Sequence, residues 1–201
     1  YGGFPATGSP VFADRDWEVH KTILSGDQTN PAVTTDNCYH VMVMQTSTSR
    51  VVVVDGLIIT EGVADGSTDN NLAGFTLSRS KGGGWYNLSG NPTVSNVKII
   101  NNSSLGSQGH GSGWYNYSNN PTLINVVISG NSAKEGGGWY NNGGDPTMTN
   151  VTIGGNNASV TGGGWYNKAG NPVMKNTIII TQQPQAWDYI RSPELLLYLI
   201  P

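Results

Sequence analysis

Charge is scarce in this chain of 201 residues: Asp, Glu, Lys and Arg together make up 11% of it, and the formal net charge is −3. That argues against a nucleic-acid binder, which needs a concentrated basic face. Sulfur is scarcer still. The single cysteine, Cys38, leaves no intrachain disulfide. It lies between Asn37 and Tyr39 with no base at a useful spacing, and it reads as a small strand residue rather than a nucleophile. No apolar run approaches the ~18 residues that a transmembrane helix needs. Neither a methionine nor a signal peptide precedes Tyr1, so a processed chain or a piece of a longer protein is expected. Strong helix formers are thin through the middle of the chain, where Gly, Asn, Thr, Ser and Val dominate. That mixture favours short strands punctuated by turns.

What is abundant is repetition. Gly82-Gly83-Gly84-Trp85-Tyr86-Asn87 returns as Gly111-Ser112-Gly113-Trp114-Tyr115-Asn116, as Gly136-Gly137-Gly138-Trp139-Tyr140-Asn141 and as Gly162-Gly163-Gly164-Trp165-Tyr166-Asn167. The tryptophans are 29, 25 and 26 residues apart. Pro92, Pro121, Pro146 and Pro172 keep the same phase, as do Val97, Val126, Val151 and Thr177. Each unit reads as strand, turn, strand, turn. In Val97-Lys98-Ile99 and its copies the outer residues fall at period two, on one face of a strand. A unit of this size cannot bury its own apolar face, so the copies must stack, each strand pairing with its counterpart in the next coil. Asn102, Asn131 and Asn156 recur in phase, and so do Asn96, Asn125, Asn150 and Asn176. Both sets are expected to form structural ladders at turns, where Asn tolerates left-handed backbone.

Upstream the landmarks are weaker. Leu24-Ser25-Gly26-Asp27 matches Ile128-Ser129-Gly130-Asn131, and Asp55-Gly56-Leu57-Ile58-Ile59 aligns with Ser95-Asn96-Val97-Lys98-Ile99. Val41-Met42-Val43-Met44 supplies a strand between them. Ala73-Gly74-Phe75-Thr76-Leu77 resembles another copy but follows too soon for a full coil, so residues 61–80 are either an irregular coil or an extruded loop. The expected organisation is all-β, a single-stranded parallel β-helix of about five to seven coils over residues 1–181. It comprises irregular coils over 1–60, the ambiguous stretch 61–80 and regular repeats over 81–181, with a tail or cap over 182–201.

The run Gly-Gly-Gly-Trp-Tyr-Asn, then Asn-Pro-Thr, then Val-x-Ile-Ser-Gly-Asn resembles the parallel β-helix repeats of large bacterial surface proteins. It is similar to the repeats of polymorphic outer membrane proteins. It is closer to secreted right-handed β-helix repeat proteins of Bacteroidetes-like bacteria, within the pectate-lyase-like superfamily. Right-handedness is an implication of that resemblance, as are a bacterial source and an extracellular or cell-surface location. The relatives usually carry an aliphatic residue where Trp85, Trp114, Trp139 and Trp165 stand.

Adjacent strand residues point to opposite faces. The aliphatic preference in the relatives places the tryptophans inside, which leaves Tyr86, Tyr115, Tyr140 and Tyr166 as an exposed column. The opposite choice would expose Trp85, Trp114, Trp139 and Trp165. Evenly spaced rings can either stack on one another and stabilise the sheet through cross-strand pairs, or offer a platform for sugar rings. The expected function is therefore a non-catalytic, structural or adhesin-like surface protein that contacts a polysaccharide or a host or cell-surface glycan. The alternative is a polysaccharide lyase or glycoside hydrolase. Hydrolysis needs two carboxylates flanking the bond, and within the repeats Glu135 and Asp145 do not coincide. An enzyme would use the upstream group Asp55, Asp65 and Asp69 with Arg79. No cofactor is expected. Asp65-Gly66-Ser67-Thr68-Asp69-Asn70-Asn71 offers oxygen ligands suited to calcium but lacks an established loop spacing. His20, His40 and His110 show no metal-ligand spacing, and His110 reads as a turn residue.

Overall fold

The computed structural model describes residues 1–29, 33–46, 50–72 and 74–181. The expected tail or cap over 182–201 lies outside the described residues. Three parallel sheets wrap one core, each strand pairing with its counterpart in the next coil, and the long strand Thr152–Thr161 pairs with both Val127–Ser129 and Ser132–Glu135 of the coil before it. The aromatic sheet consists of Met42–Gln45, Trp85–Ser89, Trp114–Tyr117, Trp139–Asn142 and Trp165–Ala169. The proline-led sheet consists of Val53–Asp55, Thr93–Ser95, Thr122–Ile124, Thr147–Thr149 and Val173–Lys175. The aliphatic sheet begins with Thr22–Ser25 and Leu57–Thr60 and continues through Lys98–Ile100, Val127–Ser129, Thr152–Thr161 and Ile178–Thr181. The chain is a parallel β-solenoid.

Register is like on like. Trp85 pairs with Trp114, Trp114 with Trp139, and Trp139 with Trp165. The coil therefore closes about three times in regular form, fewer than the five to seven coils expected. Upstream, Met42 pairs with Trp85, Asp55 with Ser95 and Leu24 with Ile59, so the strands anticipated there are rungs of the same sheets. Residues 61–80 add no further coil. Asn70–Leu72 and Phe75–Leu77 form an antiparallel hairpin that leaves the spiral, so Phe75-Thr76-Leu77 is not another rung.

The core is three stacked columns. Ile59, Ile99, Ile128 and Ile153 point inward from the aliphatic sheet, and Val54, Val94, Leu123, Met148 and Met174 from the proline-led sheet. The third column is the four tryptophans. Their rings lie 4.3, 4.8 and 4.8 Å apart between centroids, the first two pairs within 7° of parallel. The indole N–H groups of Trp85, Trp114 and Trp139 are buried without a hydrogen-bond partner, at a cost of about 1–3 kcal/mol each. Burying an aromatic side chain of about 150–250 Å² contributes about 4–6 kcal/mol, so burial wins. Glycine ahead of each indole lets successive coils approach closely: a side chain at Gly84, Gly113 or Gly138 would meet the next coil's carbonyl at 2.7 Å or less.

Three asparagine ladders close the turns. Asn102, Asn131 and Asn156 are buried, and each amide Nδ2 donates to the next Oδ1 at 3.0 and 2.9 Å. Asn96, Asn125, Asn150 and Asn176 hold φ of 54°, 54°, 55° and 48°, the left-handed backbone expected of them. Their amides are linked at 3.3, 3.1 and 3.2 Å. The third ladder, Asn87, Asn116, Asn141 and Asn167, is linked at 2.9, 2.8 and 2.8 Å. It lies two residues beyond each tryptophan and shares its inward face.

Candidate functional site

The tyrosine column leaves the sheet on the side opposite the tryptophans, as alternation requires, but its first three rings do not reach solvent and Tyr166 on the last rung is half-buried. Tyr86, Tyr115 and Tyr140 are 4%, 2% and 4% exposed. They form a second apolar cluster with Leu77, packed against Val43, Leu88 and Tyr166. His40 stands edge-on to Tyr86 at 5.5 Å, Lys81 lies over the Tyr115 ring at 5.3 Å, and His110 stacks on Tyr140 at 4.6 Å. Burial raises the phenol pKa values of all three, that of Tyr115 to about 12. The expected exposed column of Tyr86, Tyr115, Tyr140 and Tyr166 is thus corrected. Period-two alternation assigns a side chain to a face, and here the outer face is roofed by the hairpin strand and the corner residues. The alternative platform is corrected too, since Trp85, Trp114, Trp139 and Trp165 are sealed in the core.

The upstream acids do not form one group. Asp55 sits at the corner between the proline-led and aliphatic sheets, where Arg15, Ser95 and Asn96 all donate to its carboxylate. Burial alone would raise its pKa, but those hydrogen bonds and the Arg15 charge outweigh it and hold the carboxyl below its ordinary range. The Arg15 guanidinium also lies 5.0–5.7 Å from the rings of Tyr1, Phe4 and Phe12. The arrangement staples the N-terminal segment to the first rungs. Arg79 belongs elsewhere: it donates to Thr68 and Asn70 and lies over Tyr39, bracing the hairpin. Asp65 and Asp69 are in that same segment, and Asp69 bears electrostatically on Lys81. Among the described residues no three His, Cys, Asp or Glu side chains are grouped closely enough to hold a metal ion.

Two features stand out that were not anticipated. The first is an open groove of about 590 Å³ on the outer face of the aliphatic sheet. Trp17, Glu18 and Lys21 line it together with Asn96 and Lys98 of one coil and Asn125 of the next. Trp17 is 39% exposed. It packs beside Gly56, whose φ of 72° and lack of a side chain let Arg15 and Trp17 approach. The groove combines an aromatic face, two amides and charges of both signs.

The second feature is a column of unlike ionisable residues at the position before each glycine run. Lys81 pairs with His110, His110 with Glu135, and Glu135 with Thr161. His110 Nε2 lies 3.4 Å from Glu135 Oε2. Burial, then the charges of Lys81, Lys134 and Lys168, depress the imidazole pKa to about 4, so the ring is neutral at pH 7. The signal was in the sequence, since Lys, His, Glu and Thr occupy one repeat position.

No protein-family model matches the chain, and neither the curated proteins nor the solved structures give a match to it. No helix among the described residues is long and apolar enough to cross a membrane.

Proposed function

We propose that this chain is a non-catalytic secreted or cell-surface solenoid, structural or adhesin-like, that contacts glycans through the Trp17 groove. The resemblance of Gly-Gly-Gly-Trp-Tyr-Asn and Asn-Pro-Thr to bacterial surface repeats supports the location and the pectate-lyase-like kinship. The observation that carries the binding reading is the groove itself. An exposed indole gives apolar surface to a sugar ring, while Asn96, Asn125, Lys21 and Lys98 offer polar groups to its hydroxyls. The groove crosses rungs about 4.8 Å apart, which suits an extended chain lying along the solenoid axis.

Among the residues lining the groove Glu18 is the one carboxylate, where glycoside hydrolysis calls for two. That favours binding over hydrolysis at this place. The deciding experiment is a screen against immobilised polysaccharides read for both retention and release of shorter products. Retention without release is expected. Release abolished by Glu18→Gln would overturn the non-catalytic reading, and absence of retention on every polysaccharide would overturn the glycan reading.

A further inference from the structure

Outside the groove, the corner ahead of the glycine runs breaks the rule that governs the rest of the repeat. Trp, Tyr and Asn each stack on copies of themselves. Lys81, His110 and Glu135 are stacked in the same register, and no two are alike. Identity is the simple solution for a ladder, so three different ionisable groups in register need another reason.

The local charges are unbalanced. Among the described residues Arg15 forms an ion pair with Asp55 and the neutral His110 ring lies against Glu135, and Lys81, Lys134 and Lys168 take part in neither contact. The Glu135 carboxylate, at the centre of the corner, is engaged by a neutral imidazole rather than by a lysine. Lys134 Nζ donates to the Ser107 carbonyl at 3.0 Å, a neutral partner. Lys81 is partly withdrawn from water over the Tyr115 ring, and burial lowers its pKa. Asp69 acts on Lys81 electrostatically but forms no ion pair with it, so the desolvated ammonium is incompletely compensated, and an external anion would offset that cost. The dry tyrosine floor beneath lowers the local dielectric and strengthens any such contact.

We infer that this corner binds a carboxylated glycan chain, with Lys81, Lys134 and Lys168 taking its carboxylates and His110 between them. The lysines belong to different coils, so their spacing favours an anion that repeats along a chain over a single small one. The net charge of −3 disfavours nucleic acid. A stiff polysaccharide also loses less freedom on fixed rungs than a flexible acidic peptide. The site is separate from the Trp17 groove and does not depend on the reading given to it.

The test uses a hyaluronan hexasaccharide, its neutral methyl ester, sodium sulfate and a hexaglutamate peptide, titrated into the protein with the histidine rings isotope-labelled for NMR. The hexasaccharide is expected to perturb the His110 ring and to raise its titration midpoint, because a bound carboxylate favours the imidazolium. The methyl ester and sulfate should not reproduce this at equal anion-site concentration. Lys81→Met with Lys134→Met should weaken hexasaccharide binding at least tenfold. Lys168→Met, at an exposed position, should weaken it severalfold without disturbing the fold. Trp17→Ala should leave the His110 response unchanged. Equal binding of the methyl ester, of sulfate alone or of hexaglutamate would overturn the proposal. So would undiminished binding by the Lys168→Met protein or a response abolished by Trp17→Ala.

Discussion

In the regular half of the molecule, from Gly82 to Thr181, a core side chain's neighbour along the axis is usually a copy of itself. Indole meets indole at 4.3–4.8 Å, and amide meets amide at 2.8–3.3 Å through all three asparagine ladders. In the upstream half the same sheets continue with unlike partners. Met42 lies against Trp85 and Asp55 against Ser95, and the end is held by one ion pair inside a cluster of three aromatic rings. Tyr1, Val11, Phe12 and Val19 are all more than 60% exposed there. Self-stacking solves packing once and reuses the answer, whereas the irregular half solves it contact by contact. The distinctive chemistry lies where copying fails: Trp17 in the irregular half, and the one repeat position that holds Lys, His, Glu and Thr.

The comparison can be broken at its strongest point first. Trp114 loses two stacking partners if truncated, so Trp114→Ala is expected to cost about 3–5 kcal/mol in urea unfolding. Met42→Ala, at the equivalent upstream position, should cost less. Equal costs would remove the special status of the indole stack. Next is Asn131, whose side chain accepts from Asn102 and donates to Ile99, Ser129 and Asn156. Asn131→Ala leaves several buried groups unpaired and should cost about 2–3 kcal/mol.

Arg15→Ala probes the upstream staple and should cost about 1.5–3 kcal/mol at pH 7, the range for a hydrogen bond to a charged group. The Asp55 carboxyl is depressed, so its contribution is complete above the ordinary carboxylate pKa of about 3.9 and is lost as pH falls through the folded value. Thermal melts across that window should show the loss in the wild type, at higher pH in Arg15→Ala, and little of it in Asp55→Asn. The smallest effect is expected at Asn125, where two exposed ladder bonds and a left-handed residue are at stake. Asn125→Ala should cost about 1 kcal/mol, and Asn125→Gly less because glycine adopts that backbone freely.

The repeat phase alone located most of the rungs, including the alignment of Asp55 with Ser95, because pairing between coils follows from stacking like on like. The left-handed asparagines were legible for the same reason. The Asn87 ladder was equally within reach, since a residue two beyond an inward tryptophan must also point inward. The covering of the tyrosines was not legible. Nothing local in Ala73-Gly74-Phe75-Thr76-Leu77 distinguishes a hairpin strand from a rung, and Leu77 packs on the tyrosine face. The groove was hidden because it joins Trp17 to Asn96 and Asn125 through coil closure. The Lys81, His110 and Glu135 column was written in the sequence, yet a repeat recognised by identity draws attention away from the position that varies.

The proposal that matters most is that uncharged glycans are held at the Trp17 groove and not by the tyrosine column itself. It is tested most directly by measuring retention on an uncharged polysaccharide for the wild type, Trp17→Ala and the combined Tyr115→Phe, Tyr140→Phe protein side by side. The account predicts that retention falls at least tenfold for Trp17→Ala and is unchanged for the tyrosine variant. Retention that survives loss of Trp17 but fails with the tyrosine hydroxyls would contradict it.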